Sequence, residues 1–248
     1  LKGGRLQSFR GVSHSLSTDL VYYERQDTHS KDEIIIDTLG ATWMLAWLDQ
    51  GTSPIQLFLN GRWQVFQANH FLFMAPYSVL RWKFAAGVVN WRAYVSYRSY
   101  PELWIPESCL LPLNLEFCPR SAREVLQYVS CEQNKMECQA LHSNRLGLKL
   151  KQEIDRSYKE KLLIDDLAQQ FEVSRISLFR HFKNQFGFAP TQYRQRLRLF
   201  EAIRLVHLGE SVTRSVLDSG FTDLSEFNKQ FRRVFYTTPR EFIRSTGF

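Results

Sequence analysis

The sequence predicts an α+β chain of two domains. An N-terminal antiparallel β-barrel or jelly roll is followed by an all-α domain in which a linker helix joins two similar helix pairs. Three observations carry this. All six tryptophans fall between Trp43 and Trp104, in a region of short apolar segments separated by turn residues. From Leu146 onward the apolar residues recur at helical spacing instead. That second region also repeats itself, imperfectly, at an offset of 49 residues. A length of 248 residues suits two modest domains.

The repeat is the most informative feature. Leu178, Phe182, Phe186, Pro190 and Tyr193 recur as Phe227, Phe231, Phe235, Pro239 and Phe242. Ser174 and Asp223 share the offset and are both good N-cap residues. Leu178, Phe182 and Phe186 stand at i, i+4, i+8, on one helical stripe that must be buried. Ile176, Arg180 and Lys183 stand at i, i+4, i+7 on another face; Ser225, Lys229 and Arg232, with Asn228 beside them, are the matching set. A shorter helix precedes each copy, at 164–171 with Ala168 where the helices would cross, and at 212–219 before Gly220-Phe221. Two short helices, a tight turn and a capped second helix make a helix-turn-helix unit, whose second helix enters the DNA major groove.

Two units in register need two equivalent docking places, and a DNA duplex offers one per turn of its major groove. The candidate DNA-binding residues are Arg175, Ile176, Ser177, Arg180 and Lys183 in the first copy, and Ser225, Asn228, Lys229 and Arg232 in the second. Arg180 and Lys229 are expected at bases or phosphates, Lys183 and Arg232 at phosphates. The competing reading is a plain helical bundle with a solvated basic face. Between the copies, 191–208 reads as one amphipathic helix. Tyr193, Leu197, Phe200 and Leu205 form its apolar side, and Arg194, Arg196, Arg198 and Arg204 make it basic. Pro190 suits its first turn and Gly209 its end. Such a connector would hold the recognition helices about 34 Å apart, one helical turn of DNA.

Charge follows the same division. Residues 1–145 hold 14 basic and 13 acidic side chains, whereas 146–248 hold 18 and 12, so nearly all of the net +7 sits on the repeated half. A nucleic-acid face requires this. No stretch approaches the roughly 18 apolar residues of a membrane span. The first ten residues lack the apolar run of a secretory signal, so a cytoplasmic chain is expected. Cys109, Cys118, Cys131 and Cys138 have eight, twelve and six residues between them, with no C-x-x-C pair. Reduced thiols are the expectation, with a redox or zinc site as the alternative.

In the N-terminal region, strands are predicted at 33–38, 43–48, 55–59, 63–67, 71–74, 80–84 and 91–97. Asn60-Gly61 is a hairpin signal, because both turn positions accept positive φ. Trp43, Trp47, Phe58, Trp82 and Trp91 are candidate linings for a small-molecule effector pocket, with Arg81 or Arg92 to hold an anion. Only His70 lies where a metal triad would be needed, so no metal, no cofactor and no enzyme activity are expected. Helix is predicted over 121–143, with Val125, Tyr128, Val129, Met136 and Leu141 as its apolar stripe, and over 149–158.

The stretch 220–242, G-F-T-D-L-S-E-F-N-K-Q-F-R-R-V-F-Y-T-T-P-R-E-F, resembles the signature of the AraC/XylS family of bacterial transcription regulators. The first copy, L-A-Q-Q-F-E-V-S-R-I-S-L-F-R-H-F-K-N-Q-F-G-F-A-P-T-Q-Y, is similar, as is the linker pattern of Arg198, Ala202, Leu205 and Val206. The resemblance spans about 146–248. It implies an AraC-type DNA-binding domain there, a cupin-like effector and dimerisation domain over 1–118, and a helical linker with dimerisation helices over 119–145. It also implies double-stranded DNA, RNA polymerase, a small-molecule effector and a homodimer as partners, and activation as the role. The sequence departs from the family pattern at Tyr236 and Glu172, where glycine is usual, and at Ser215-Val216, where a large aliphatic and then Ala are usual. These departures leave open a second reading, an interaction protein or antagonist with a degenerate second unit. A cupin-type enzyme is the third.

Overall fold

The computed structural model describes residues 8–59, 62–98, 100, 103, 105, 107–134, 137–138, 145–160, 164–235 and 237–245. They fall into two compact units, Leu1–Ala140 with Tyr236–Phe248, and Leu141–Phe235.

The first unit is built on two sheets, antiparallel throughout. β1 (Ser8–Ser15), β2 (Val21–His29), β4 (Trp43–Leu48), β7 (His70–Met74), β9 (Gly87–Ser96), β10 (Cys109–Pro112) and β11 (Glu137–Cys138) form the larger, in the order β1-β2-β9-β4-β7-β10-β11. β3 (Glu33–Thr38), β5 (Ile55–Leu59), β6 (Arg62–Phe66) and β8 (Val79–Phe84) form the smaller, in the order β3-β8-β5-β6.

The larger sheet is covered on both faces. One face, with Ala46, Leu48, Leu72, Met74, Ala93 and Val95, packs against Ile55, Leu57, Leu80, Trp82 and Phe84 of the smaller sheet. The other, with Trp43, Leu45, Trp47, Phe71 and Phe73, packs against α1 (Ala122–Ser130) through Ala122, Val125, Leu126 and Val129. A strand buried on both sides needs apolar residues at every position. That is why β4 and β7 read as the unbroken runs WMLAWL and FLFM.

The seven predicted strands are all present, with ends shifted by up to four residues. β1, β2, β10 and β11 are additions. The turn at Asn60-Gly61 lies outside the described residues, but Leu59 and Arg62 on either side of it are paired. The helix predicted over 121–143 is corrected. It stops at Ser130 and is followed by a 3-10 turn at Glu132–Asn134 and the short strand β11. Its stripe is also spent within the chain: Val125 and Val129 are buried in the sheet's core, and Tyr128 stacks on Phe117 at 4.2 Å. Met136 and Leu141 lie outside the described residues.

The second unit contains α2 (Arg145–Ser157), α3 (Ile164–Gln170), α4 (Arg175–Phe186), α5 (Pro190–His207), α6 (Val212–Asp218) and α7 (Leu224–Phe235). α8 (Pro239–Ser245) is grouped with the first. Both repeated helices start as their caps dictate. Ser174 Oγ accepts from the Ser177 N–H at 3.2 Å, and Asp223 Oδ1 accepts from the Glu226 N–H at 2.8 Å. α4 stops at Gly187, whose φ of +83° lets its N–H reach Lys183 O at 2.7 Å. The repeated apolar positions do equivalent work. Leu178, Phe182 and Phe186 are buried under α4, and Phe227 and Phe231 under α7.

The linker helix α5 is tied to the end of α2 by polar contacts. Arg194 Nε donates to Tyr158 O at 3.1 Å, and Arg198 Nε to the same oxygen at 2.6 Å. Arg198 also reaches Lys159 O at 3.0 Å and Glu160 O at 3.1 Å, and Arg194 reaches Glu160 O. Buried Glu201 accepts from Lys159 Nζ at 2.6 Å and from Arg204 Nε at 2.7 Å. Gly220 closes over the same segment at φ +95°, where a Cβ would lie 2.5 Å from Lys159 O.

Burial pushes the Glu201 carboxyl up, but the hydrogen bonds from Arg204 and Lys159 outweigh it and hold the group below its ordinary value. A depressed folded value gives stability that is complete above the unfolded glutamate pKa of about 4.3 and lost as pH falls through the folded one. Glu201→Gln should therefore cost the helical unit about 2 kcal/mol near neutral pH. Thermal unfolding from pH 7 down to 3 should show that gap narrowing only below about pH 4.3. A gap independent of pH would show that Glu201 acts through shape alone.

Two of the sequence departures are visible as local costs. Glu172 sits at φ +54° in the turn between α3 and α4, a left-handed conformation that disfavours side chains. Glu172→Gly should stabilise by about 0.5–1 kcal/mol, less than the full relief of strain because glycine also frees the unfolded chain. Ser215 is fully buried in α6, and its Oγ has no hydrogen-bond partner. Ser215→Ala should gain about 1 kcal/mol, raising the melting temperature of the helical unit by about 4–8 °C. A lower melting temperature would mean that the hydroxyl is satisfied in solution.

Candidate nucleic-acid interface

On α4 the buried stripe of Leu178, Phe182 and Phe186 leaves the opposite face to solvent. Ile176, Arg180, Lys183 and Asn184 occupy it, and all four are exposed. On α7 the exposed face carries Ser225, Asn228, Lys229, Arg232 and Arg233. Sequence reasoning did not single out Asn184 and Arg233, although their shared 49-residue offset was a signal that could have found them.

The remaining candidates are placed differently. Arg175, at the first position of α4, is exposed and pairs with Asp165 of α3 at 3.4 Å, with its guanidinium 5.8 Å from the Phe179 ring centroid. So exposed a pair contributes little, and a phosphate can compete for the arginine. Ser177 is half-buried, and its N–H is taken by the Ser174 cap, so it positions the first turn. Arg180, Lys183, Lys229 and Arg232 have no carboxylate partner among the described residues. Four unneutralised cations on two equivalent helical faces are what a polyanion requires.

The linker arginines are not part of this surface in the way that composition suggests. Arg194 and Arg198 hold the carbonyls after α2, Arg204 pairs with Glu201, and Arg196 lies over the Phe188 ring at 5.3 Å. Burial lowers the guanidinium of Arg198 to about 10, assisted by the neighbouring Arg194 charge. Part of the positive charge of this half is therefore structural.

The effector candidates do not converge on one pocket. Trp43 and Trp47 are buried between the larger sheet and α1. Trp82 and Trp91 pack between the two sheets, 5.4 Å apart and edge-on. Phe58 pairs with exposed Trp63 at 5.2 Å and lies under the Arg81 guanidinium at 5.4 Å. Strand alternation explains the dispersal, since side chains of opposite parity face opposite ways. Arg92 pairs with Asp49 at 2.9 Å. His70 is half-buried at the start of β7. Polar groups enter the space between the sheets elsewhere: Arg25 meets Asp27 at 2.6 Å, and Trp91 Nε1 donates to the same carboxylate at 3.2 Å.

A family model described as a helix-turn-helix domain matches residues 167–245. The HTH-type transcriptional activator RhaS of Citrobacter koseri (strain ATCC BAA-895 / CDC 4225-83 / SGSC4696) is 36% identical over 89 residues, covering 36% of this chain and 32% of that protein. RhaS of Escherichia coli (strain SE11) is also 36% identical over 89 residues, with the same coverage. The matched region thus spans about a third of these relatives' length. Across nearly the whole chain the fold is similar to ToxT from Vibrio cholerae. One ToxT structure has a TM-score of 0.57 at 10% identity, covering 92% of this chain and 99% of that one. Another, from Vibrio cholerae O395, has a TM-score of 0.52 at 12% identity, covering 96% and 98%. No helix among the described residues is long and apolar enough to cross a membrane. Its C-terminal region, with the duplicated, capped helices, is thus a helix-turn-helix domain similar to that of the RhaS activators.

Proposed function

We propose that the chain is a sequence-specific DNA-binding transcription regulator, an activator like the RhaS proteins it resembles. Its two helix-turn-helix units, α3–α4 and α6–α7, grip adjacent major grooves. One observation carries this reading: both copies bury the same apolar stripe and expose the same basic row, Arg180 with Lys183 and Lys229 with Arg232. The linker supports it. An 18-residue helix is about 27 Å long, comparable to the roughly 34 Å between successive major grooves.

The reading of a degenerate second unit is less well supported. α7 is capped by Asp223, Phe227 and Phe231 are buried, and Val216 fills the position usual for Ala. The orphan hydroxyl of Ser215 lowers stability without removing the basic face.

The N-terminal unit is read as a cupin-like effector and dimerisation domain, with RNA polymerase as the partner of activation. One ToxT structure contains a bound unsaturated fatty acid. For this chain a small-molecule effector is proposed on the same fold, in a pocket other than one lined jointly by Trp43, Trp47, Phe58, Trp82 and Trp91. A regulator needs no catalytic centre, and none is assigned.

With about six to eight phosphates neutralised, log K for duplex DNA should fall against log salt with a slope of about −5 to −7. Titrations between 50 and 200 mM salt measure it, and a flat response removes DNA as the partner. Arg180→Ala and Lys229→Ala should each weaken binding, and a variant that loses a phosphate contact should lower the slope by about 1. An unchanged affinity for Lys229→Ala alone would restore the degenerate-unit reading.

A further inference from the structure

Along the outward row of Ile176, Arg180 and Lys183, matched by Ser225, Lys229 and Arg232, the two recognition helices differ in chemical kind at one position. Ile176 is 79% exposed at the second position of α4. It shares the outward row with Arg180 and Lys183, and all three are exposed. Nothing in the described structure packs against it closely enough to bury it, although its own helix buries Leu178 completely two residues later. At the 49-residue offset α7 carries Ser225, also exposed. The first turn of a recognition helix is the part that reaches base edges. There a branched aliphatic side chain has no hydrogen bond to give. The one apolar group that a major groove presents to it is the C5-methyl of thymine.

We propose that Ile176 is a specificity-determining residue that reads a thymine methyl in the first half-site. The second half-site, met by Ser225, lacks this requirement, so the operator is asymmetric and fixes the orientation of the bound chain. A basic residue on the same row that meets a phosphate supplies affinity without choosing sequence, because phosphates are alike at every step. Orientation matters to an activator, since a fixed polarity on DNA presents the same surface to the transcription machinery at every site. This inference rests on the DNA-binding reading above.

The test begins with a duplex selected by this 248-residue chain from a random pool. Synthetic versions of it then replace each thymine in turn with deoxyuridine, which removes one methyl group and keeps base pairing. Wild-type protein should lose about fourfold in affinity at one thymine of one half-site, the factor corresponding to about 0.8 kcal/mol per buried methyl-sized group. Ile176→Ala should bind the thymine and deoxyuridine duplexes equally at that position, with an unchanged salt slope. Ile176→Val, which keeps a branched apolar side chain, should retain part of the discrimination. Because the side chain is exposed, both variants should melt with the wild type, and this is checked alongside. The proposal is overturned if no thymine shows a loss that disappears in Ile176→Ala. It is overturned too if the sensitive thymines fall equally in both half-sites. If selection yields no discrete site at all, the regulator reading fails and takes this inference with it.

Discussion

The segment after α2 is where the helical unit is held together. Backbone carbonyls leaving a helix end have no partners of their own and must be satisfied. Here the carbonyls of Tyr158, Lys159 and Glu160 are taken by Arg194 and Arg198 from one turn and the next of α5. Lys159 in turn reaches Glu201, about one turn further along, and Gly220 must lack a side chain to pass over the same backbone. One short stretch of chain thereby fixes α2, the linker and the turn before α7. The basic rows of α4 and α7 are useful only if the body between them is rigid, and this clamp supplies the stiffness. It also explains why a chain with a basic face spends arginines inside: the planar guanidinium presents five donors in a rigid fork to several carbonyls, where a lysine has three on one flexible point charge.

The helical half was legible because its chemistry is periodic. Two copies at a constant offset gave caps, stripe and basic row independently of each other, and the helices observed begin within a residue or two of those signals. The central strands β4 and β7 were legible as continuous apolar runs. β1 and β2 were not, for a physical reason. β2 turns Tyr23, Arg25, Asp27 and His29 toward the space between the sheets, and Asp27 and His29 are buried. A strand whose inward face is polar shows no alternation of apolar and polar residues, so periodicity cannot find it. The burial of His29 depends on a partner, Glu33 at 2.5 Å, that only the folded corner supplies.

The tryptophans show the same limit from the other side. Composition identified them as the unusual feature of the N-terminal half, and grouping them into one pocket required knowing which face each strand position takes. β4 has both faces buried, so an aromatic residue on it could belong to either of two cores. Trp43 and Trp47 went to the core under α1, whereas Trp82 and Trp91 went between the sheets. Register, set by pairs such as Trp47 with Arg92 and Ile35 with Trp82, decided this.

The unusual residues of the helical unit also separate into kinds once packing is known. Glu172 and Ser215 lie away from the exposed rows, one in a left-handed turn and one on the buried side of α6, and their costs fall on stability. Ile176 and Ser225 lie on those rows, where nothing in the fold selects them. A residue that the fold does not constrain is free to be set by what binds there. This is why an exposed isoleucine amid arginine and lysine carries more information about a ligand than the repeated phenylalanine stripe beneath it. The stripe answers to the helix bundle, and the isoleucine answers to the groove.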